Sequence, residues 1–215
     1  MIDAVIFDMD GTLIDSEPMW KEAEKEVFSG LGVNVTEQLA QQSASMTTLE
    51  ASAFWYSHNP WQGPSIQDVA NRVVVRVGDL IAKHGVALDG VHNTLSLLDK
   101  NQIKIGLATN APEQLIPIVL GKLGIAKYFS ACCSSDNELE GKPHPAIYLS
   151  TARALNVCPS QCLAIEDSGT GVLAAKAANM RTLAVPHVDE YDHQKFDLSD
   201  FKLKSLSEFG LGHLA

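Results

Sequence analysis

Ala4-Val5-Ile6-Phe7-Asp8-Met9-Asp10-Gly11-Thr12 is four apolar residues running straight into two acids, a glycine and a hydroxyl. A short unbroken apolar run suits a strand buried on both faces, the hallmark of a parallel sheet. In open α/β sheets ligands bind beyond the carboxyl ends of the strands. Two carboxylates two residues apart on an extended segment can point the same way there. One can attack an electrophile while the other moves a proton. Gly11 lets the chain turn sharply behind them. A calcium loop is the competing reading of D-x-D, but it needs Gly at position six and Glu at twelve. Counted from Asp8, those positions hold Leu13 and Met19. A simple turn or helix-cap cluster is the other reading of the bare motif.

Four more short apolar runs lie downstream, at 103–108, 129–133, 162–165 and 182–185. Helical signals fall between them. Pro112 and Pro145 suit first turns of helices, whereas Pro117 is expected to kink or restart the first of these. Residues 169–180 are Ala-rich, with Val172, Ala175 and Ala178 able to share a face. Strands alternating with helices predict an α/β fold, a Rossmann-like open parallel sheet. The rhythm breaks at 15–89, which holds no convincing strand. Pro18 opens a helix with Trp20, Ala23, Val27 and Leu31 at helical spacing. Ser65 can cap another, with Asp68 three residues on and Ile66, Val69, Val73, Val77, Leu80 and Ile81 as its apolar face. The organisation expected is a core of 1–14 and 90–215 with an inserted small helical cap at 15–89, hinged near 14–16 and 86–90. The stretch after Val188 is uninformative.

Three further motifs fall at strand ends. Thr109 and Asn110 close the second run, where a hydroxyl and an amide can hold a phosphate oxygen or merely cap a turn. Gly141-Lys142-Pro143-His144-Pro145 holds Lys142 extended before a helix, the place for a phosphate clamp or an ordinary surface lysine. Ile165-Glu166-Asp167-Ser168-Gly169 again runs strand, acid pair, glycine. Acids crowded at neighbouring strand ends repel unless a cation lies between them, and a few oxygens with retained waters are how proteins hold Mg2+.

Composition narrows the partners. The 215 residues carry 16 Lys+Arg against 26 Asp+Glu, a net charge of −10. Duplex nucleic acid and anionic membrane surfaces need basic patches, so neither is expected as a partner. No run of 18 apolar residues is present. The first ten residues lack a basic leader segment, so no signal peptide is expected. Cys132, Cys133, Cys158 and Cys162 do not form a secreted disulfide pattern. They read as reduced, buried thiols rather than zinc ligands, and the expected compartment is the cytoplasm.

Taken in order, the motifs resemble those of the haloacid dehalogenase-like superfamily of phosphotransferases. Residues 7–13 resemble its first motif, Thr109 the second, Lys142 the third and Glu166-Asp167 the fourth. The helical insertion is similar to the small cap of that family. The resemblance implies a mechanism. Asp8 is the nucleophile that forms an aspartyl-phosphate, and Asp10 is the general acid and then base. Mg2+ is held by Asp8, the backbone carbonyl of Asp10, and Asp167. Lys142, Thr109, the Asn110 backbone and the Met9 and Asp10 amides bind the phosphoryl oxygens, and Glu166 orients a metal water. Asp-Ser-Glu-Pro-Met-Trp at 15–20 and the stretch 55–65 are similar to sugar-phosphate-hydrolysing members. Hexose 6-phosphates, hexitol phosphates and 2-deoxyglucose 6-phosphate are the substrates that this implies.

A sugar phosphomutase, a phospho-acceptor signalling domain and a dehalogenase are the alternatives. A mutase handles a bisphosphate and so needs a second cationic site, yet no Lys or Arg occurs from Glu26 to Asn71, which leaves Arg72 and Lys21 as the cations able to reach in. Trp20 also stands where related sugar mutases carry a His. A signalling domain needs neither a cap nor an acid such as Asp10. Dehalogenases of the superfamily lack the second Asp and the metal, which Asp10 and Asp167 argue against. Trp20, Phe54, Trp55, Tyr56 and Trp61 of the cap either stack on a sugar or pack its helices together. Glu17, Gln41, Gln42, Ser43, Ser45, Thr47 and Thr48 are candidates for sugar hydroxyls. A monomer is expected.

Overall fold

The computed structural model describes residues 2–43 and 46–215. Six parallel strands form one sheet in the order β3-β2-β1-β4-β5-β6. They are β1 (Ala4–Phe7), β2 (Lys104–Thr109), β3 (Ala131–Ser134), β4 (Cys162–Glu166), β5 (Arg181–Ala184) and β6 (Phe201–Lys202). The first five correspond to the five apolar runs. The sixth, two residues long, carries no periodic signal and was not expected from sequence. Among the described residues eight α-helices accompany them: α1 (Glu17–Gly30), α2 (Glu37–Ser43), α3 (Thr48–His58), α4 (Ile66–His84), α5 (Val91–Lys100), α6 (Leu115–Lys122), α7 (Ala146–Leu155) and α8 (Gly169–Ala177).

β1 is the central strand, and all four of its residues are buried. Phe7 pairs with Leu107 on one side and Ile165 on the other. That register brings the residues after Phe7, Leu107 and Ile165 to the same level at the carboxyl edge. The chain moves outward from β1 to β2 and β3, then returns to its other side for β4. The strand order therefore reverses beside β1, where α/β sheets bind ligands. α7 and α8 cover one face, where Ile147, Tyr148, Ala152, Ala174 and Ala175 pack against Ala4, Ile6, Ala108 and Ala164.

Pro117 does not kink its helix. A turn in which Leu115 N–H donates to the Pro112 carbonyl comes first, and α6 starts only at Leu115. Pro117 is thus in the first turn, where its missing N–H would have had no helical partner.

The chain forms two compact units, Met1–Asp15 with Gly85–Ala215, and Ser16–His84. Asp15 and residues 85–89, grouped with the insertion on sequence grounds, belong to the α/β unit. Leu88 N–H donates to the Leu13 carbonyl at 3.1 Å, and Ala87 pairs with Ile14. Within the helical unit, Ser65 and Asp68 bond each other's backbone N–H at 3.1 Å, capping α4 as its sequence predicts. Val69, Val73, Val77, Leu80 and Ile81 form the buried face of α4. Trp55 and Trp61 are buried, and both pack against the ring of Phe28. For these two indoles the packing role holds. Ser43 donates to the Ala40 carbonyl, and Thr47 caps α3 in a reciprocal arrangement with Glu50. Ser45 lies outside the described residues. No helix among the described residues is long and apolar enough to cross a membrane.

Candidate active site

The carboxyl edge of β1 delivers Asp8, whose N–H donates to the Ile165 carbonyl of β4 at 2.9 Å. The chain then doubles back. Leu13 and Ile14 N–H groups both donate to the Met9 carbonyl, and Gly11 N–H donates to that of Ile14. Gly11 has φ +76°, the left-handed turn its sequence position suggests. Asp8 is buried, Asp10 is half-buried in the turn, and the Met9 side chain is fully buried, leaving Met9 only a backbone role.

Lys142 comes from the segment before α7 and is almost fully buried. Its Nζ donates to Asp8 Oδ1 at 2.5 Å, to Glu166 Oε1 at 2.6 Å and to the Ala108 carbonyl at 2.8 Å. An ammonium has three N–H bonds. All three are therefore committed to the ends of β1, β4 and β2 at once. The lysine read from sequence as a phosphate clamp also ties three strand ends together. Burial alone would pull its pKa down, but Asp8 and Glu166 hold it above the usual lysine value.

Asn110 holds the other side of Lys142. Its Oδ1 accepts the Lys142 N–H at 2.9 Å and its Nδ2 donates to the Lys142 carbonyl at 3.3 Å. The Thr109 hydroxyl, buried at the end of β2, accepts from Ala111 N–H at 3.0 Å. Ser134 and Ser135 hydroxyls donate to the Ala111 and Asn110 carbonyls and so brace the same loop from β3.

Four carboxyl groups, Asp8, Asp10, Glu166 and Asp167, follow two neighbouring strands. One oxygen from each of Asp8, Glu166 and Asp167 lies within 4.8 Å of the others. Burial raises the Asp8 pKa well above the carboxylate range; Lys142 pulls it down, and Glu166, Asp167 and Asp10 push it up. Burial, followed by repulsion from Glu166, pushes Asp167 up to about 7. Lys142 is ion-paired to both Asp8 and Glu166. The donor set is all oxygen and the acids outnumber the cation. Gly11 offers no Cβ where Asp167 crosses it, so that carboxylate reaches the turn of Asp8 and Asp10. This is chemistry that suits a hard divalent cation such as Mg2+.

Sequence reading missed Tyr148 and Ser168. Tyr148 donates its hydroxyl to Glu166 Oε1 at 2.5 Å, and Ser168 donates to Glu166 Oε2 at 3.0 Å. A tyrosine on the buried face of a helix needs a partner for its hydroxyl, which was the available signal. Nothing in the order of residues identified that partner. Glu166, read as the orienter of a metal water, thus has donors on both oxygens.

Residues 2–179 match the haloacid dehalogenase-like hydrolase family. The chain is 38% identical over 206 residues to hexitol phosphatase B of Escherichia coli, covering 95% of this chain and 93% of that one. It is 32% identical to a phosphorylated carbohydrates phosphatase of Thermotoga maritima, covering 85% and 84% of the two chains. Among solved structures it resembles CbbY from Rhodobacter sphaeroides in complex with phosphate. The TM-score is 0.88 and the identity 27%, over 98% of this chain and 97% of that one.

Proposed function

The chain belongs to the haloacid dehalogenase-like hydrolase family and is a phosphoric monoester hydrolase, and from that premise we propose that it removes phosphate from a small sugar or sugar alcohol. Hexitol phosphates, hexose 6-phosphates and 2-deoxyglucose 6-phosphate are the leading substrates. The observation that carries this reading is Lys142, which joins Asp8 to Glu166 beside Asp167 at the point where the strand order reverses.

Asp8 is the nucleophile. Its carboxylate oxygen forms a bond to phosphorus as the bond to the sugar oxygen breaks, and Asp10 gives its proton to the leaving alkoxide. Asp10 then takes a proton from water as that water attacks phosphorus. The bond to Asp8 breaks and inorganic phosphate leaves. Lys142 holds Asp8 in line and neutralises charge. The Thr109 hydroxyl and the backbone amides of Met9, Asp10 and Asn110 receive the phosphoryl oxygens. Positioning and neutralisation are the main demands of phosphoryl transfer. Mg2+ would be held by Asp8, the Asp10 carbonyl and Asp167, and when bound it supplies positive charge against the phosphoryl oxygens. Glu166 anchors Lys142.

A bisphosphate-handling mutase fits less well. Residues 27–71 carry no lysine or arginine. Elsewhere in the helical unit, Lys21 is paired with Glu17 and Arg76 with Glu26, and Lys25, Arg72 and Lys83 are its other cations. We place the enzyme in the cytoplasm, a reading supported by its four unpaired cysteines, although only Cys162 is buried and Cys132 and Cys158 are exposed, contrary to the expectation of buried thiols.

The test is phosphate release from a panel of sugar and polyol phosphates, with Mg2+ or EDTA, for wild type beside Asp8→Asn. Metal-dependent release that is fastest on a hexose or hexitol phosphate and absent in Asp8→Asn is expected. No turnover of any sugar phosphate, with a stable phosphoryl group retained on Asp8, would return the mutase or signalling reading.

A further inference from the structure

Tyr148 sits in the first turn of α7, fully buried on the face that packs against the sheet. Its ring and its hydroxyl do different things. The ring faces Lys142, with Nζ 5.1 Å from the ring centroid. The hydroxyl donates to Glu166 Oε1, the oxygen that also accepts from Lys142 Nζ. One carboxylate oxygen thus serves two donors 2.5 and 2.6 Å away.

Glu166 has no room to evade this arrangement. A Cβ on Gly171 would lie 1.9 Å from its carboxyl carbon, and Ser168 holds its other oxygen. Lys142 is divided between Glu166 and Asp8, at 2.6 and 2.5 Å. A second donor into Oε1 lowers the negative charge available to the lysine there. The ammonium then remains shared with Asp8. Without the phenol, Oε1 is the stronger acceptor in a site with little water to replace the lost donor.

We propose that Tyr148 is a positioning residue that acts through Glu166 to keep the Lys142 ammonium on Asp8. This rests on phosphomonoester hydrolysis at Asp8, whatever the alcohol released. The phenol touches neither the phosphoryl group nor the leaving group. Its loss lowers kcat by misplacing Lys142 and leaves ground-state binding of the substrate largely as it was.

The experiment uses Tyr148→Phe, Glu166→Gln and the double variant, with p-nitrophenyl phosphate as a probe that needs no sugar recognition. Tyr148→Phe is expected to lower kcat roughly tenfold with KM changed less than about twofold. The double variant is expected to be no slower than Glu166→Gln alone, because the phenol acts through that carboxylate. A second readout needs no turnover. In protein labelled with 15N at lysine Nζ, the buried Lys142 ammonium gives a protected resonance that Lys142→Ala removes. Tyr148→Phe is expected to shift it, and Tyr191→Phe, whose lost hydroxyl donates to the Lys202 carbonyl of β6, is not. A Lys142 resonance that stays in place, or a double-variant loss equal to the product of the single losses, overturns the proposal. Wild type alone gives a check should Tyr148→Phe not fold. Its hydroxyl proton, bonded to Glu166, is expected downfield with a nuclear Overhauser effect to the Lys142 ammonium, and absence of that effect also overturns it. Failure of every sugar phosphate as substrate would sink the functional reading and leave these resonances to decide the role of Tyr148.

Discussion

The carboxylate of Asp167 lies directly over the bare α carbon of Gly11: a methyl built there would sit 2.0 Å from Oδ2. Gly11 also has φ +76°. The position therefore excludes a side chain for two separate reasons, backbone strain and collision with an acid of the site. Strain alone costs Gly11→Ala about 1–2 kcal/mol of stability. The collision moves Asp167 away from Asp8. We expect Gly11→Ala to fold with a lowered Tm and to lose roughly 100-fold or more in kcat, as read by phosphate release beside a thermal melt. Unchanged kcat would show that Asp167 need not reach the Asp8 turn.

The same crowding predicts how Mg2+ acts on the protein. Asp167 is pushed up to about 7, first by burial and then by Glu166. Below that pH it is mostly protonated, and a cation must displace the proton; above it the carboxylate is free to bind. Mg2+ affinity is therefore expected to be about tenfold weaker at pH 6 than at pH 8. At pH 8, Mg2+ at ten times its Kd raises stability by about 1.4 kcal/mol, which EDTA reverses. Differential scanning fluorimetry with and without Mg2+ reads both effects. Asp167→Asn is expected to abolish the shift.

The features of this site differ in how legible they are in the sequence. The run Ala4–Phe7 and the acids after it were readable because a buried parallel strand needs a continuous apolar stretch and its ligands lie at its carboxyl end. Lys142 was readable as a site residue through the order of the motifs. Its three-way bonding was not, because Asp8, Ala108 and Glu166 come together only through the register of β2, β1 and β4. Tyr148 and the side-chain role of Asn110 were hidden for the same reason. One looks like a core aromatic and the other like a helix cap until the sheet places Glu166 and Lys142 beside them. β6 escaped because two residues cannot show a period.

Glu24 in α1 offers a stability test within the helical unit. Burial pushes its carboxyl up to about 7, from 4.5. A raised carboxyl binds more protons folded than unfolded between those values, so stability falls as pH rises from about 4.5 through 7. The penalty is absent below the unfolded pKa and complete above the folded one. Glu24→Gln removes it. After discounting for partial solvent access, the gain is about 1 kcal/mol at pH 8 and near zero at pH 4.5. Paired denaturant melts at the two pH values read the difference, and equal effects at both would assign Glu24 no ionisation penalty.

Asn110 makes a prediction that separates its side chain from its backbone. The side-chain amide bonds the Lys142 N–H and carbonyl, at 2.9 and 3.3 Å. A carboxamide can do both, and no other uncharged side chain of that length can. Asn110→Ala removes both bonds while leaving the backbone amide in place for a phosphoryl oxygen. Part of the clamp is exposed, so water replaces some of the loss and the stability cost is about 1 kcal/mol. The catalytic cost is larger, because the segment that carries the ammonium paired to Asp8 and Glu166 is freed on one side. We expect roughly a tenfold fall in kcat. Asn110→Asp keeps an acceptor for the N–H but sets a charge against the Lys142 carbonyl, and should fall at least as far. Steady-state kinetics on the preferred phosphate ester, with Tm measured alongside, decides the point. If Asn110→Ala loses stability but keeps kcat, the Asp8, Ala108 and Glu166 contacts alone hold Lys142 in place.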